Sequence, residues 1–134
     1  LSPGEVLASI RIAKADYDGF CGKYIKYAMR RAMDIATLGV AVTARLNAAR
    51  DGISEARVAF GVAAPVPLRC REAENRIRDR KLGPELFDAF CEAIESSVRP
   101  RDSWRATRAF RIHLAKEMGR RALAEAIACA RGDA

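Results

Sequence analysis

The chain has a single histidine, no Cys-x-x-Cys pair and no glycine-rich phosphate loop among its 134 residues. Each absence removes a class of chemistry. His113 has no nucleophile partner or second ligand at a meaningful spacing, so it reads as a surface or boundary residue rather than a catalytic one. Cys21, Cys70, Cys91 and Cys129 lie far apart, which argues against a zinc or iron–sulfur site. Without a GxGxxG or Walker-type loop, no pyrophosphate cradle is encoded. Gly39 and Gly61 fall inside strand-like runs instead, where glycine marks a bulge or a close approach of backbone. No apolar run reaches the ~20 residues of a membrane span, and no signal peptide opens the chain. Aromatic residues are sparse. Trp104 and those at helical spacing read as core rather than as a base-stacking platform. No two acids stand at a spacing that suggests glycosidase or metal chemistry.

What is present suffices for one core. Half the residues are hydrophobic, and the length suits a single domain spanning 1–134. The opening Leu-Ser-Pro-Gly, without a methionine, reads as part of a longer polypeptide. Cys91 and Cys129 fall among apolar helix positions, where a reduced thiol behaves as a small hydrophobe, and a cytoplasmic home follows. The net charge of +7 raises nucleic acid as a partner. The cations are dispersed among carboxylates, however, as from Arg69 to Arg80, and this reads as a solvated helix face or one that meets an acidic subunit. A stand-alone basic module, possibly RNA-binding, is the alternative reading.

The first half of the chain alternates and the second half steps by three and four. Val6, Ala8, Ile10 and Ile12 share one parity, with Leu7, Ser9 and Arg11 on the other, as in a half-buried strand. From Lys23 to Met29, Ile25, Tyr27 and Met29 oppose Tyr24, Lys26 and Ala28. Val40–Leu46 and Val58–Val62 repeat the pattern, and Asp51-Gly52 between them predicts an antiparallel hairpin. Pro65 and Pro67 are expected to end the sheet.

Three helices follow. The first, around Arg69–Arg80, aligns Cys70, Ala73 and Ile77. The second, from Pro84 to Pro100, aligns Leu86, Phe87, Phe90, Cys91, Ile94 and Val98. The third, from about Arg105 to Ala130, turns Phe110, Leu114, Met118, Ala122 and Ile127 inward before Gly132 closes it. The expected fold is α+β: an antiparallel sheet of three to four strands with about three helices packed on one face. Leu7 and Lys26 then emerge on the uncovered face.

The ordered set GEVLASIRI, YIKYAMRRAMDIA and GVAAPVPLRCREAE resembles the C-terminal domain of the FAD-binding subunit of molybdenum hydroxylases, the xanthine dehydrogenase and carbon monoxide dehydrogenase family. One departure is Arg11-Ile12-Ala13, where many members have proline. The resemblance implies a CO dehydrogenase flavoprotein C-terminal domain-like fold within a larger subunit. It also implies an upstream FAD-binding domain that holds most of the FAD. Partner subunits would carry molybdopterin and 2Fe-2S clusters, and electrons would pass through the clusters to FAD and then to NAD or another acceptor. It places flavin contacts at Leu7 and Lys26, with the Arg30–Asp34 bend nearby. On this reading these residues alone are inactive, and neither nucleic acid nor membrane is a partner.

Overall fold

A computed structural model describes residues 1–30 and 32–133. Its centre is a four-stranded antiparallel meander: β1 (Cys21–Tyr27), β2 (Leu38–Leu46), β3 (Ile53–Gly61) and β4 (Leu68–Arg69), paired in chain order. The alternation read in β2 and β3 is the one that folds. Leu38, Val40, Val42 and Ala44 are buried, as are Val58 and Phe60, and Val40–Phe60 and Val42–Val58 are cross-strand pairs. Three helices cover that face: α1 (Arg71–Ile77), α2 (Pro84–Ser97) and α3 (Arg108–Arg131). Cys70, Ala73 and Ile77 meet Leu86, Phe90, Ile94 and Val98, while Leu114, Met118, Ala122 and Ile127 complete the core. The α+β class and the one-sided packing are as the sequence pattern predicts.

Helix ends follow local chemistry. The Thr107 side chain accepts the Phe110 N–H at the start of α3, and Gly132 ends it in the left-handed conformation at φ 84°. Pro84 occupies the first turn of α2, where its missing N–H has no intrahelical partner to lose.

The hairpin differs from its prediction. Residues 47–52 form a longer loop in which Arg50, not Gly52, takes positive φ at 57°. Asn47 organises it, because its side-chain oxygen accepts the N–H groups of Asp51 and Gly52 at 3.1 and 3.3 Å. Gly52 is needed for a close approach: an added Cβ would lie 2.9 Å from the Arg80 carbonyl oxygen.

Four further expectations are corrected. Residues 4–12 form no strand, and Val6, Leu7, Ile10 and Ile12 are all exposed. A period of two expresses strand propensity, but a strand also needs an edge to pair with, and no described strand takes this one. The sheet does not end at the prolines, because the chain returns as β4 against Ala59 and Phe60. Trp104 is 79% exposed on the loop before α3, with the Arg105 guanidinium 4.2 Å above its ring, rather than in the core. Phe110 sits at the rim, 40% exposed and edge-on to Tyr27.

Candidate functional site

The helices leave one sheet face free. The register places Lys26 opposite Gly39 and Tyr24 opposite Ala41. Gly39 and Ala41 in turn face Gly61 and Ala59. This half of the face therefore has a floor of small residues. The Tyr24 ring lies across Gly39: a Cβ added to that glycine would be 3.0 Å from the tyrosine hydroxyl. Gly39 is thus a close approach, one of the two roles its sequence context suggests, whereas at Gly61 an added Cβ would meet nothing within 4 Å.

The other half of the face is occupied. A short 3-10 turn at Lys14–Asp16 and the left-handed Gly19, at φ 74°, bring Phe20 over the sheet. The Phe20 ring stacks between the guanidiniums of Arg45 and Arg57, at 4.3 and 4.5 Å. Arg57 also donates to the Asp16 carbonyl at 2.6 Å. Such stacked cations contribute about 0.5–1 kcal/mol each at exposed sites. This covering was not legible from spacing, because a lone phenylalanine in a loop carries no period.

Lys26 stands at the edge of the free half. Its ammonium donates to the Asp34 carbonyl at 2.6 Å. The bend between β1 and β2 is closed by the Asp34 carboxylate, which accepts the Arg30 N–H at 2.8 Å, and by the Arg30 side chain on the Met33 carbonyl at 3.0 Å. The Arg30 amide holds the Asp34 carboxyl below its ordinary range. Arg31, part of the same bend, lies outside the described residues. Met29, Met33 and Ile35 expose their side chains around this cationic corner. The parity argument for Lys26 is confirmed: Ile25 packs toward the core and Tyr27 meets Phe110 of α3, so Lys26 points the other way.

Leu7 is not joined to this corner. It is 63% exposed, and among the described residues the backbone hydrogen bonds of 1–12 stay within Ser2–Glu5. The parity argument fails for Leu7, since a segment outside the sheet has no faces to distinguish.

Two other concavities offer less. A cleft of about 480 Å³ between α2 and α3 is lined by Cys91, His113 and charged residues. Its Lys116 and Arg120 are paired with Glu95 and Asp88. His113 is exposed there, and burial pushes the Cys91 thiol up. A second, of about 540 Å³, lies among Val62, Pro65, Val66, Pro67, Arg99 and Arg101. Neither gathers a nucleophile, base and orienting group. Among the described residues no cluster of three or more His, Cys, Asp or Glu could hold a metal ion. No described helix is long and apolar enough to cross a membrane.

Residues 23–126 match the family described as the CO dehydrogenase flavoprotein C-terminal domain. The chain belongs to that family. It is 39% identical over 132 residues to the xanthine dehydrogenase FAD-binding subunit of Escherichia coli O157:H7, covering 98% of this chain and 44% of that protein. The chain thus spans less than half the length of this curated relative. Among solved structures it resembles a carbon monoxide dehydrogenase from Hydrogenophaga pseudoflava, one lacking the Mo-pyranopterin moiety of the molybdenum cofactor. The TM-score there is 0.76 at 28% identity, over 83% of this chain and 38% of the other. A cyanide-inactivated Cu,Mo-CO dehydrogenase gives a TM-score of 0.74 at 25% identity, over 82% of this chain and 37% of the other. Fold and family agree with the resemblance read from the sequence.

Proposed function

We propose that residues 1–134 are the C-terminal domain of the FAD-binding subunit of a molybdenum hydroxylase, of xanthine dehydrogenase or CO dehydrogenase type, and that they cover the flavin. The observation that carries this reading is the identity to the xanthine dehydrogenase FAD-binding subunit along 98% of the chain. The free half-face is consistent with it. A floor of small residues admits a flat group or a neighbouring domain, and Lys26 at its edge supplies a fixed cation.

The residues fit an edge contact and not a whole dinucleotide, because the sequence has no GxGxxG or Walker-type loop to cradle a pyrophosphate. FAD, when bound by the rest of the subunit, supplies the two-electron redox chemistry. This chain's part is to orient and exclude. Lys26, held by the Asp34 carbonyl, places positive charge where a reduced flavin becomes anionic. Leu7, on its exposed segment, provides an apolar contact once a neighbouring domain covers that segment. Val6, Ile10, Met29, Met33 and Ile35, all exposed, are the surface that such a neighbour covers. The molybdopterin-binding and iron–sulfur subunits dock outside this corner, and residues 1–134 alone have no activity.

The RNA-binding alternative is disfavoured. Among the described residues several cations pair with acids, as in Lys23–Glu125, Arg57–Glu55, Lys116–Glu95 and Arg120–Asp88, which draws their charge away from phosphates.

Deletion tests the covering role. In the whole FAD-binding subunit, removing residues 1–134 is expected to expose the flavin to iodide quenching and to loosen FAD. Flavin fluorescence, quenching and retention all equal to those of the intact subunit would overturn the reading.

A further inference from the structure

Two of the four cysteines, 108 positions apart in sequence, are brought side by side by the packing of β1 on α3. Two contacts between these elements, with the burial of the residue between them, set the direction in which they run past each other. Tyr27 meets Phe110 edge-on at 6.0 Å, Ile25 packs on the core, and Lys23 forms an ion pair with Glu125. Lower numbers on β1 therefore meet higher numbers on α3, and the odd-numbered side chains of the strand face the helix. From the Lys23–Glu125 pair, the next helix-facing strand position is Cys21, about 7 Å away. The next helix position on the same stripe is Cys129, about 6 Å along the axis in the same direction. The two steps match, so the thiols meet.

The neighbouring Cys129 thiol, ahead of partial burial, raises the Cys21 pKa above its ordinary value. Both cysteines are reduced in the structure. An open cleft of about 400 Å³, lined by Gly22, Lys23, Glu125, Ala128 and Cys129, opens onto Cys129 from the β1 side. Cys129 is exposed and Cys21 half-buried behind it, the arrangement of an attacking thiol with a resolving partner.

We infer that Cys21 and Cys129 form a redox-active dithiol, which a hydroperoxide converts to a disulfide linking the edge strand β1 to the last turns of α3. The chemistry balances with one hydroperoxide. The Cys129 thiolate attacks a peroxide oxygen, the O–O bond breaks, and one water leaves once the leaving oxygen is protonated. The resulting sulfenic acid is attacked by the Cys21 sulfur, an S–S bond forms, the S–O bond breaks and a second water departs. Two thiols lose two electrons and two protons, and hydrogen peroxide becomes two waters. The bond joins the strand that carries Lys26 to a helix it already touches and closes most of the chain into one loop. This constrains the unfolded state. The inference is independent of the flavin reading.

The test uses the purified chain and one equivalent of hydrogen peroxide. The free-thiol count, taken after denaturation, should fall from four to two. Peptide mapping should find Cys21 linked to Cys129, and Tm should rise by roughly 5–10 °C, reversibly with dithiothreitol. Cys129→Ser, at an exposed position, and Cys21→Ser should each abolish the paired loss, while Cys91→Ser, in a different cleft, should retain it. Were Cys21→Ser to misfold, Cys129→Ser with the peptide map decides alone. Sulfinic acid at Cys129 with Cys21 still reduced, intermolecular dimers through Cys129, or an unchanged thiol count would each overturn the inference.

Discussion

Glu74 replaces a length of missing strand. β4 is only two residues long, so the Val58 N–H on β3 has no backbone acceptor there and donates to the Glu74 carboxylate at 2.8 Å. Glu74 is 4% exposed, and the Arg69 guanidinium closes on both its oxygens at 2.7 and 3.1 Å. Removing Arg69 leaves a buried carboxylate with one amide, whereas removing the charge of Glu74 frees a guanidinium that is 45% exposed and reaches water. The first change should hurt more. Breaking a buried pair from one side costs about 3–5 kcal/mol, reduced to about 2–3 here because Arg69 is only half covered. Glu74→Gln keeps an oxygen for Val58 and should cost about 1–2 kcal/mol. Adding Glu74→Gln to Arg69→Met should then make matters no worse than Arg69→Met alone, since the orphaned charge is gone. Urea unfolding of the three variants measures this, and a loss of 2–3 kcal/mol lowers the midpoint by about 1–2 M. Equal losses for the two single variants, adding fully in the double, would refute the assignment of Glu74 as a charged surrogate for backbone.

Two glycines should respond in opposite ways to the same methyl group. Gly52→Ala forces a Cβ against the Arg80 carbonyl and should cost about 1–3 kcal/mol. At Gly119 the methyl meets only the Ile94 Cδ1 tip closely, at 2.7 Å. There a gain of about 1 kcal/mol in helix propensity offsets the crowding, so Gly119→Ala should be near neutral by thermal unfolding. The Asp34 carboxyl, lowered by the Arg30 amide, gives the bend an acid dependence. Its contribution is complete above the unfolded pKa near 3.9 and disappears as pH falls through the lower folded value. The Arg30 amide resonance should therefore titrate with a midpoint below the ordinary carboxylate value, and a midpoint at or above it would contradict the geometry.

The parts of this fold that repeat were legible. Val40, Val42 and Ala44 alternate because each pays into a face already covered by α3, and Leu86, Phe90, Ile94 and Val98 step as one side of α2 must. Features made by tertiary closure were not. β4 is too short for a period, and its prolines argued for an end rather than a return. Residues 4–12 carry strand alternation without a described partner, so their pattern misplaced Leu7 while the same argument placed Lys26 correctly. Trp104 read as core together with the aromatics at helical spacing, yet it lies on a loop where arginine stacking takes the place of burial. Cys129 read as a helix-core thiol and is exposed, because α3 turns that position toward β1 at the rim of the sheet. Its approach to Cys21 depends on strand–helix register, which no local spacing encodes. The family resemblance, carried by segments in fixed order, reached the family that residues 23–126 match, where periodicity stopped at a free face.

The central claim is that the free half-face, with Lys26 at its edge, lies against the flavin of the whole subunit. The direct measurement is the FAD reduction potential of that subunit carrying Lys26→Met. Lys23→Met is the control, since Lys23 points to the opposite face and pairs with Glu125. A partly desolvated charge interaction of about 1–2 kcal/mol corresponds to roughly 20–45 mV for a two-electron couple. The account predicts a potential lower by that amount for Lys26→Met and unchanged for Lys23→Met. A Lys26→Met potential equal to that of the parent subunit would contradict it.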